Sequence, residues 1–203
     1  RLYAQAVILA VGHSARDTFA KLVEQGIEVM PKAFAIGVRV EHPQQMISDS
    51  QYGQFAQFLP PADYKLTHLA KNGRHVYTFC MCPGGDVVAA ASEEGGVVTN
   101  GMSYHARAGQ NANSAVVVGV DPSDFGSIDP LAGMEFQRHW ERLAFELGGG
   151  NYQAPCQLLG DFMHDQDSQA FGAVVGTYQP QAHFAQLKDC LPDYVVEALK
   201  DAF

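Results

Sequence analysis

Charge is scarce in this 203-residue chain. Asp, Glu, Lys and Arg make up 17% of it, and 13 bases stand against 22 acids, a net charge of −9. So few Lys and Arg exclude a general nucleic-acid binder, which needs clustered cations to neutralise phosphates. Long apolar runs are missing too. None approaches the roughly 20 residues that cross a bilayer, so no membrane span is expected. Cysteine is sparse: Cys80 and Cys82 are close, while Cys156 and Cys190 stand alone. That is no disulfide framework, and it predicts a reducing, cytoplasmic compartment. Repeats and low-complexity tracts are absent, and no signal-peptide cleavage site follows the first apolar run. What is present is core-forming material. Hydrophobic residues make up 47%, enough for one large domain or two small ones. The chain opens on Arg1, not Met, and is expected to be a piece of a longer protein.

The hydrophobic pattern divides the chain. Residues 5–11, QAVILAV, read as a buried strand. Gly12 and His13 form a turn, and Ser14 is the expected N-cap of a helix whose apolar face is Ala15, Phe19, Leu22 and Val23. Gly26 supplies its stop. Residues 33–40 alternate: Phe34, Ile36, Val38 and Val40 share one face, and Ala33, Ala35, Gly37 and Arg39 the other. The second face is bare except for Arg39, so something bulky can approach it. Residues 42–62 read as loop or short helix. Strands are predicted at 74–82, 86–92, 97–101 and 114–120, with PGGD at 83–86 turning the first two into a hairpin. Asp129 and Pro130 predict the start of a long helix that ends at Gly148, and Pro192 starts a terminal helix. A linker-like stretch, DPSDFGSIDP, lies between the β-rich middle and the helical tail.

Four segments can carry chemistry. Gly12 at a strand-to-helix turn lets a phosphate or ring approach the helix start, or is a plain connection; it is not a G-x-G-x-x-G fingerprint. Cys80 and Cys82, at i and i+2 in a strand, sit on one face and suit a redox pair or half a metal site. No neighbouring ligands complete a zinc pattern, so core packing is preferred and no metal is expected. The Pro83-Gly84-Gly85 turn can turn backbone N–H groups toward a ligand, or is a bare turn. The run 99–115, rich in Ser, Asn, His and Arg, is a pocket wall or a solvated loop. Cys156 lacks an adjacent base in sequence and reads as structural.

Five stretches, in order, resemble one family of bacterial flavoproteins: VILAVGHSARDTF (7–19), AFAIGVRVEHPQ (33–44), YTFCMCPGGDVVAAASEEGGVVTNGMS (77–103), NANSAVVV (111–118) and AFELGGGNYQAP (144–155). The family comprises uncharacterised FAD-dependent dehydrogenases, or NAD(P)/FAD-dependent oxidoreductases. The resemblance implies an α+β or α/β arrangement. Residues 1–30 would be a strand-turn-helix remnant of a Rossmann-like FAD-binding domain. Residues 31–203 would be an inserted substrate or cap domain, β-rich at 33–120 and helical at 129–203, with a mixed or antiparallel sheet.

It also implies FAD as cofactor, held incompletely here because the pyrophosphate-binding turn lies elsewhere. Gly12, His13 and Ser14 would lie near the flavin nucleotide, and Met81, Cys82, Pro83, Gly84 and Gly85 toward the ring and substrate. The implied partners are the rest of the FAD-binding domain, a small-molecule substrate and NAD(P)H. The implied activity is hydride transfer between an organic substrate and flavin, with the catalytic residues unassigned. The rival expectation is a non-catalytic binding module on the same scaffold.

Overall fold

A computed structural model describes residues 3–203. It is a mixed α+β structure. In chain order the main elements are helix α1 (Arg16–Glu24), strand β1 (Phe34–Pro43), helix α2 (Gln44–Tyr52), β2 (Thr67–Leu69), β3 (His75–Cys82), β4 (Gly85–Ala89), β5 (Thr99–Ser103) and β6 (Asn111–Val120). Then come α3 (Ala132–Leu147), β7 (Ala154–Cys156), α4 (Leu159–Met163), β8 (Ala182–Phe184) and α5 (Asp193–Ala202). Short 3₁₀ turns at Gly53–Phe58, Pro122–Phe125 and Leu187–Cys190 join them. No helix among the described residues is long and apolar enough to cross a membrane.

The main sheet has four antiparallel strands in the order β1-β6-β3-β2. The β1 alternation works as the sequence predicts. Phe34, Ile36 and Val38 lie opposite Val120, Val118 and Val116 of β6 and turn the same face inward. The amphipathic helix α5 covers that face, with Val195, Val196, Ala198 and Leu199 buried against Val76, Val118 and Val120. Val195, Ala198 and Leu199 are fully buried, and side chains of the size of Val195 and Leu199 contribute about 1.5–3 kcal/mol each through burial. Phe125 and Ala132 join this core, so the linker-like stretch is packed down, and the sheet and helical tail share one interior. A second, smaller core gathers Val87, Val97, Ala154 and Tyr178.

Four expectations are corrected. Residues 5–11 form no strand: Val7 and Ile8 are 83% and 92% exposed, because no neighbouring strand among the described residues offers its hydrogen bonds. Strands β3 and β4 do not form a hairpin. β4 instead pairs with β5 in a separate two-stranded sheet, so Pro83-Gly84 is a corner between sheets. The cause lies in β3, where the register slips between Phe79 and Cys82 and Cys80 adopts a left-handed φ of 48°. This β-bulge ends the ladder and redirects the chain toward β4. It also breaks the parity that put Cys80 and Cys82 on one face. Finally, two of the three predicted helix starts shift, while Pro192 does lead into α5. α1 begins after Ala15, not Ser14, and α3 begins at Ala132, with Asp129 Oδ1 accepting from the Leu131 N–H at 2.7 Å.

Helix α1 is tied to the body by one buried side chain. Arg16 donates to Glu141 Oε1 at 2.6 Å, Glu93 Oε2 at 2.7 Å and Gln137 Oε1 at 3.1 Å. Arg138 holds the other Glu93 oxygen at 2.6 Å. Two arginines around one carboxylate pin α1 and the 92–97 turn to α3.

Candidate functional site

The second face of the main sheet is the unusual one. Antiparallel sheets that show one face to water normally line it with polar residues. Here β1 and β6 present Ala35, Gly37, Ala115, Val117 and Gly119, and β3 adds Tyr77 and the 59% exposed Phe79. The β4–β5 hairpin leans over one end of this floor. At the boundary between covered and open floor stands Arg39.

Arg39 sits there because β1 alternation puts it outward and the β3 bulge carries Cys82 to the same side, opposite Asn113. Its Nη1 donates to Asn113 Oδ1 at 2.7 Å and weakly to the Cys80 carbonyl at 3.5 Å, and its Nη2 reaches Asn100 Oδ1 at 3.3 Å. Asn113 is fully buried and passes the network on, donating to the Gly85 carbonyl at 3.0 Å. Gly101 makes room: a Cβ there would stand 2.1 Å from Asn113 Oδ1, 2.5 Å from Arg39 Nη1 and 2.9 Å from Cys82 Sγ.

The charge of Arg39 is not balanced. Arg16, Arg74 and Arg138 all pair with carboxylates. Arg39, among the described residues, meets only neutral oxygens, and its buried Nε has no partner. Burial pushes its guanidinium below its ordinary range, while the facing thiols of Cys82 and Cys80 and the Tyr64 hydroxyl push it back up. A desolvated, unpaired cation is costly unless an anion or polar ring completes it. Nearby, His42 Nε2 and Tyr64 OH share a 2.7 Å hydrogen bond. Burial lowers the His42 pKa and raises that of Tyr64, favouring the neutral forms.

The sequence-predicted site residues fall into two groups. Gly12, His13 and Ser14 are exposed, and a Cβ on Gly12 would touch nothing within 4 Å. Met81 and Cys82 are half-buried, and Cys82 Sγ shares the space above Gly101 with Arg39 Nη1. Pro83, Gly84 and Gly85 are buried, and the Gly84 N–H donates to Gln44 Oε1 at 2.8 Å. Gln44 in turn holds Ala62 O and Ser48 Oγ, so the turn is braced from below. Sequence reasoning missed the roles of Arg39, Asn100, Gly101 and Gln44. The available signal was Arg39 itself, alone among small residues on its strand face.

A depression beside Glu93, reaching Tyr152 and Tyr178, is a weaker candidate, because both Glu93 oxygens are already paired. The half-buried Cys156 and the buried Cys190 are pushed up to about 11 and about 12 by burial and remain thiols.

Fold and site together define an α+β domain that offers an uncompensated cation at the edge of a small-residue sheet face. The chain belongs to the family described as FAD-dependent protein, C-terminal domain-like, which matches residues 33–203. It is also 59% identical over 200 residues to an uncharacterised protein of Clostridium beijerinckii (strain ATCC 51743 / NCIMB 8052). That match covers 97% of this chain and 38% of the relative's length.

Proposed function

We propose that this chain is the substrate-side part of an FAD-dependent oxidoreductase, with Arg39 as its anion-facing cation. Family membership supports the FAD association, and the unpaired half-buried Arg39 on an open, small-residue face is the observation that carries the reading. Residues Ala35, Gly37, Ala115 and Val117 form a floor without bulky side chains, which suits a planar ring. The residues that would hold such a ring are Arg39, Asn100 and Cys82, with Asn113 and Gly101 fixing the guanidinium. Bound FAD would supply two-electron exchange with an organic substrate. The chain's own part is to place a fixed positive charge, to orient the partner against the floor and to exclude water beneath the β4–β5 hairpin.

The exposed apolar segment 5–11 fits the same proposal. Its hydrogen-bonding edges are suited to a sheet supplied by additional chain, as in a nucleotide-binding fold ending near residue 30. Gly12, His13 and Ser14 would then turn toward the nucleotide. NAD(P)H is the proposed electron donor, and four free cysteines support a reducing cytoplasm.

The test is flavin content and FAD affinity of the intact protein, measured by absorbance and fluorescence titration. Wild type is expected to be yellow or to take up FAD, and Arg39→Ala to bind it about tenfold or more weakly, the loss of one charge-assisted contact. A colourless protein that refuses FAD would overturn the proposal and favour a binding module.

A further inference from the structure

The open face of the main sheet is ordered in rows across its strands. Arg39 on β1 lies opposite Ala115 on β6, and Ala115 lies opposite Phe79 on β3. The next row sets Gly37 opposite Val117, and Val117 opposite Tyr77. A cation and an aromatic residue therefore flank the small Ala115. Tyr77 and Phe79, two residues apart on one strand, turn to the same side. Neighbouring strands run about 4.8 Å apart, so the backbones of Arg39 and Phe79 stand about 10 Å from each other, with one methyl group between them. Such a gap admits a flat ring.

The guanidinium leans across it. Its Nη1 reaches the Cys80 carbonyl at 3.5 Å, one residue beyond Phe79, so the charge ends beside β3 and not on its own strand. Nη2 carries two protons. One goes to Asn100 at 3.3 Å in an exposed contact, and the other is unspent among the described residues. Glu41, two residues along the same strand face, is turned to Thr177 and Asn111 instead. At the other side of the gap Phe79 is 59% exposed, although β3 lies inside the sheet between β6 and β2. A ring left in water there forgoes burial that a flat apolar ligand would supply. The two sides together select the ligand. A phosphate alone leaves the rings uncovered, and a neutral ring leaves the guanidinium unbalanced.

We propose that this strip is the subsite of the organic substrate, and that the substrate is an aromatic carboxylate, with its carboxylate on Arg39 and its ring over Ala115 against Tyr77 and Phe79. The inference rests on the reading of this chain as the substrate side of a flavin enzyme, and names the substrate class of that same site. Tyr77 and Phe79 on β3 lie outside the group proposed to hold the flavin ring. The strip binds and orients: the charge-assisted hydrogen bond fixes one end of the ligand, and the aromatic contacts fix its plane.

The experiment uses the intact protein, with and without saturating FAD, and 2-naphthoate as the probe in calorimetric titrations. 2-Naphthalenemethanol is the neutral control and decanoate the non-aromatic one. In both conditions 2-naphthoate is expected to bind about tenfold or more tightly than either control. Arg39→Met is expected to abolish the preference for the acid over the alcohol, and Arg39→Lys to restore part of it. Phe79→Ala is expected to weaken acid and alcohol alike, about three- to tenfold. Ala115→Leu fills the gap from a half-buried position and is expected to exclude both. The substrate class is overturned if the alcohol or decanoate binds as well as 2-naphthoate, or if binding is unchanged in the Arg39 and Phe79 variants. Displacement of 2-naphthoate by FAD would overturn it too, because the strip would then belong to the flavin. A protein that takes up FAD and refuses 2-naphthoate loses the substrate class and keeps the flavin reading. One that refuses FAD and binds 2-naphthoate through Arg39 and Phe79 keeps the carboxylate subsite and loses the flavin reading.

Discussion

The Arg39 guanidinium on β1 is held by the Asn113 amide oxygen on β6 at 2.7 Å, with no carboxylate of the described residues beside it. The same amide donates to the Gly85 carbonyl at 3.0 Å. One fully buried side chain therefore fixes both the cation and the corner where the main sheet passes into the β4–β5 hairpin.

Asn113→Ala removes both bonds, taking a donor from the Gly85 carbonyl and leaving the desolvated guanidinium only its longer contacts to Asn100 and Cys80. The expected loss is about 2–4 kcal/mol, from unsatisfied polar groups plus a small cavity. Urea unfolding should show a lower midpoint at unchanged slope. An unchanged midpoint would mean that water or a relaxed Arg39 replaces the amide without cost.

Two glycines at this corner separate fold from site. Gly84 has φ +51°, and a Cβ there would lie 2.0 Å from the Arg107 carbonyl oxygen, a backbone atom that cannot swing away. Gly84→Ala is expected to cost about 3 kcal/mol or more. At Gly101 the colliding atoms include the flexible end of Arg39. Gly101→Ala should therefore displace Arg39 and weaken FAD uptake, with a smaller loss of stability than Gly84→Ala. Thermal unfolding and flavin titration on both variants would reverse this ranking if the site did not depend on Arg39.

Much of the main sheet was legible in the sequence because its strands carry their own alternation. Phe34 to Val40 and Val116 to Val120 show which residues face inward without knowledge of their partners. Pairing was less legible. A turn such as Pro83-Gly84 reads alike as a hairpin or as a corner, and the deciding feature is the left-handed Cys80, a conformation no local pattern announces. Segment 5–11 reads as a strand because apolar runs carry no record of where their hydrogen bonds go. The site was half visible: Cys82 and the glycine turn stood out as a motif, whereas Asn113 and Gly101 matter only because β5 and β6 bring them to Arg39.

Glu41 makes a separate prediction. Its carboxylate accepts from the Thr177 hydroxyl at 2.7 Å, the Thr177 N–H at 3.1 Å and Asn111 Nδ2 at 3.3 Å. It thereby clips the 171–178 segment onto the end of β1, and the Thr177 hydroxyl relays the contact to the Val87 N–H at 2.8 Å. Glu41→Ala should free that segment while the main sheet holds. Hydrogen exchange is expected to rise at Thr177 and Val87 and to stay unchanged at Val118. A uniform rise would mean that Glu41 supports the whole fold instead.

The Glu93 cluster sets a pH dependence. Hydrogen bonds from Arg138, and then from Arg16, lower the Glu93 carboxyl from an ordinary 4.5 to about 2, against an opposing effect of burial. A carboxylate depressed on folding contributes fully above its unfolded value and loses that contribution as pH falls through its folded value. The clasp should therefore hold at neutral pH and weaken progressively between about pH 4.5 and 2. Because Glu93 is 31% exposed, solvent screening keeps each pair near the scale of surface ion pairs, about 1 kcal/mol or less. Glu93→Gln should be less stable than wild type at pH 7, and the two should converge as the pH approaches 2. Unfolding midpoints across that range provide the measurement. Curves that stay parallel down to pH 2 would show that the arginines do not select the ionised carboxylate, and that α1 is held to α3 by Arg16 with Glu141 and Gln137.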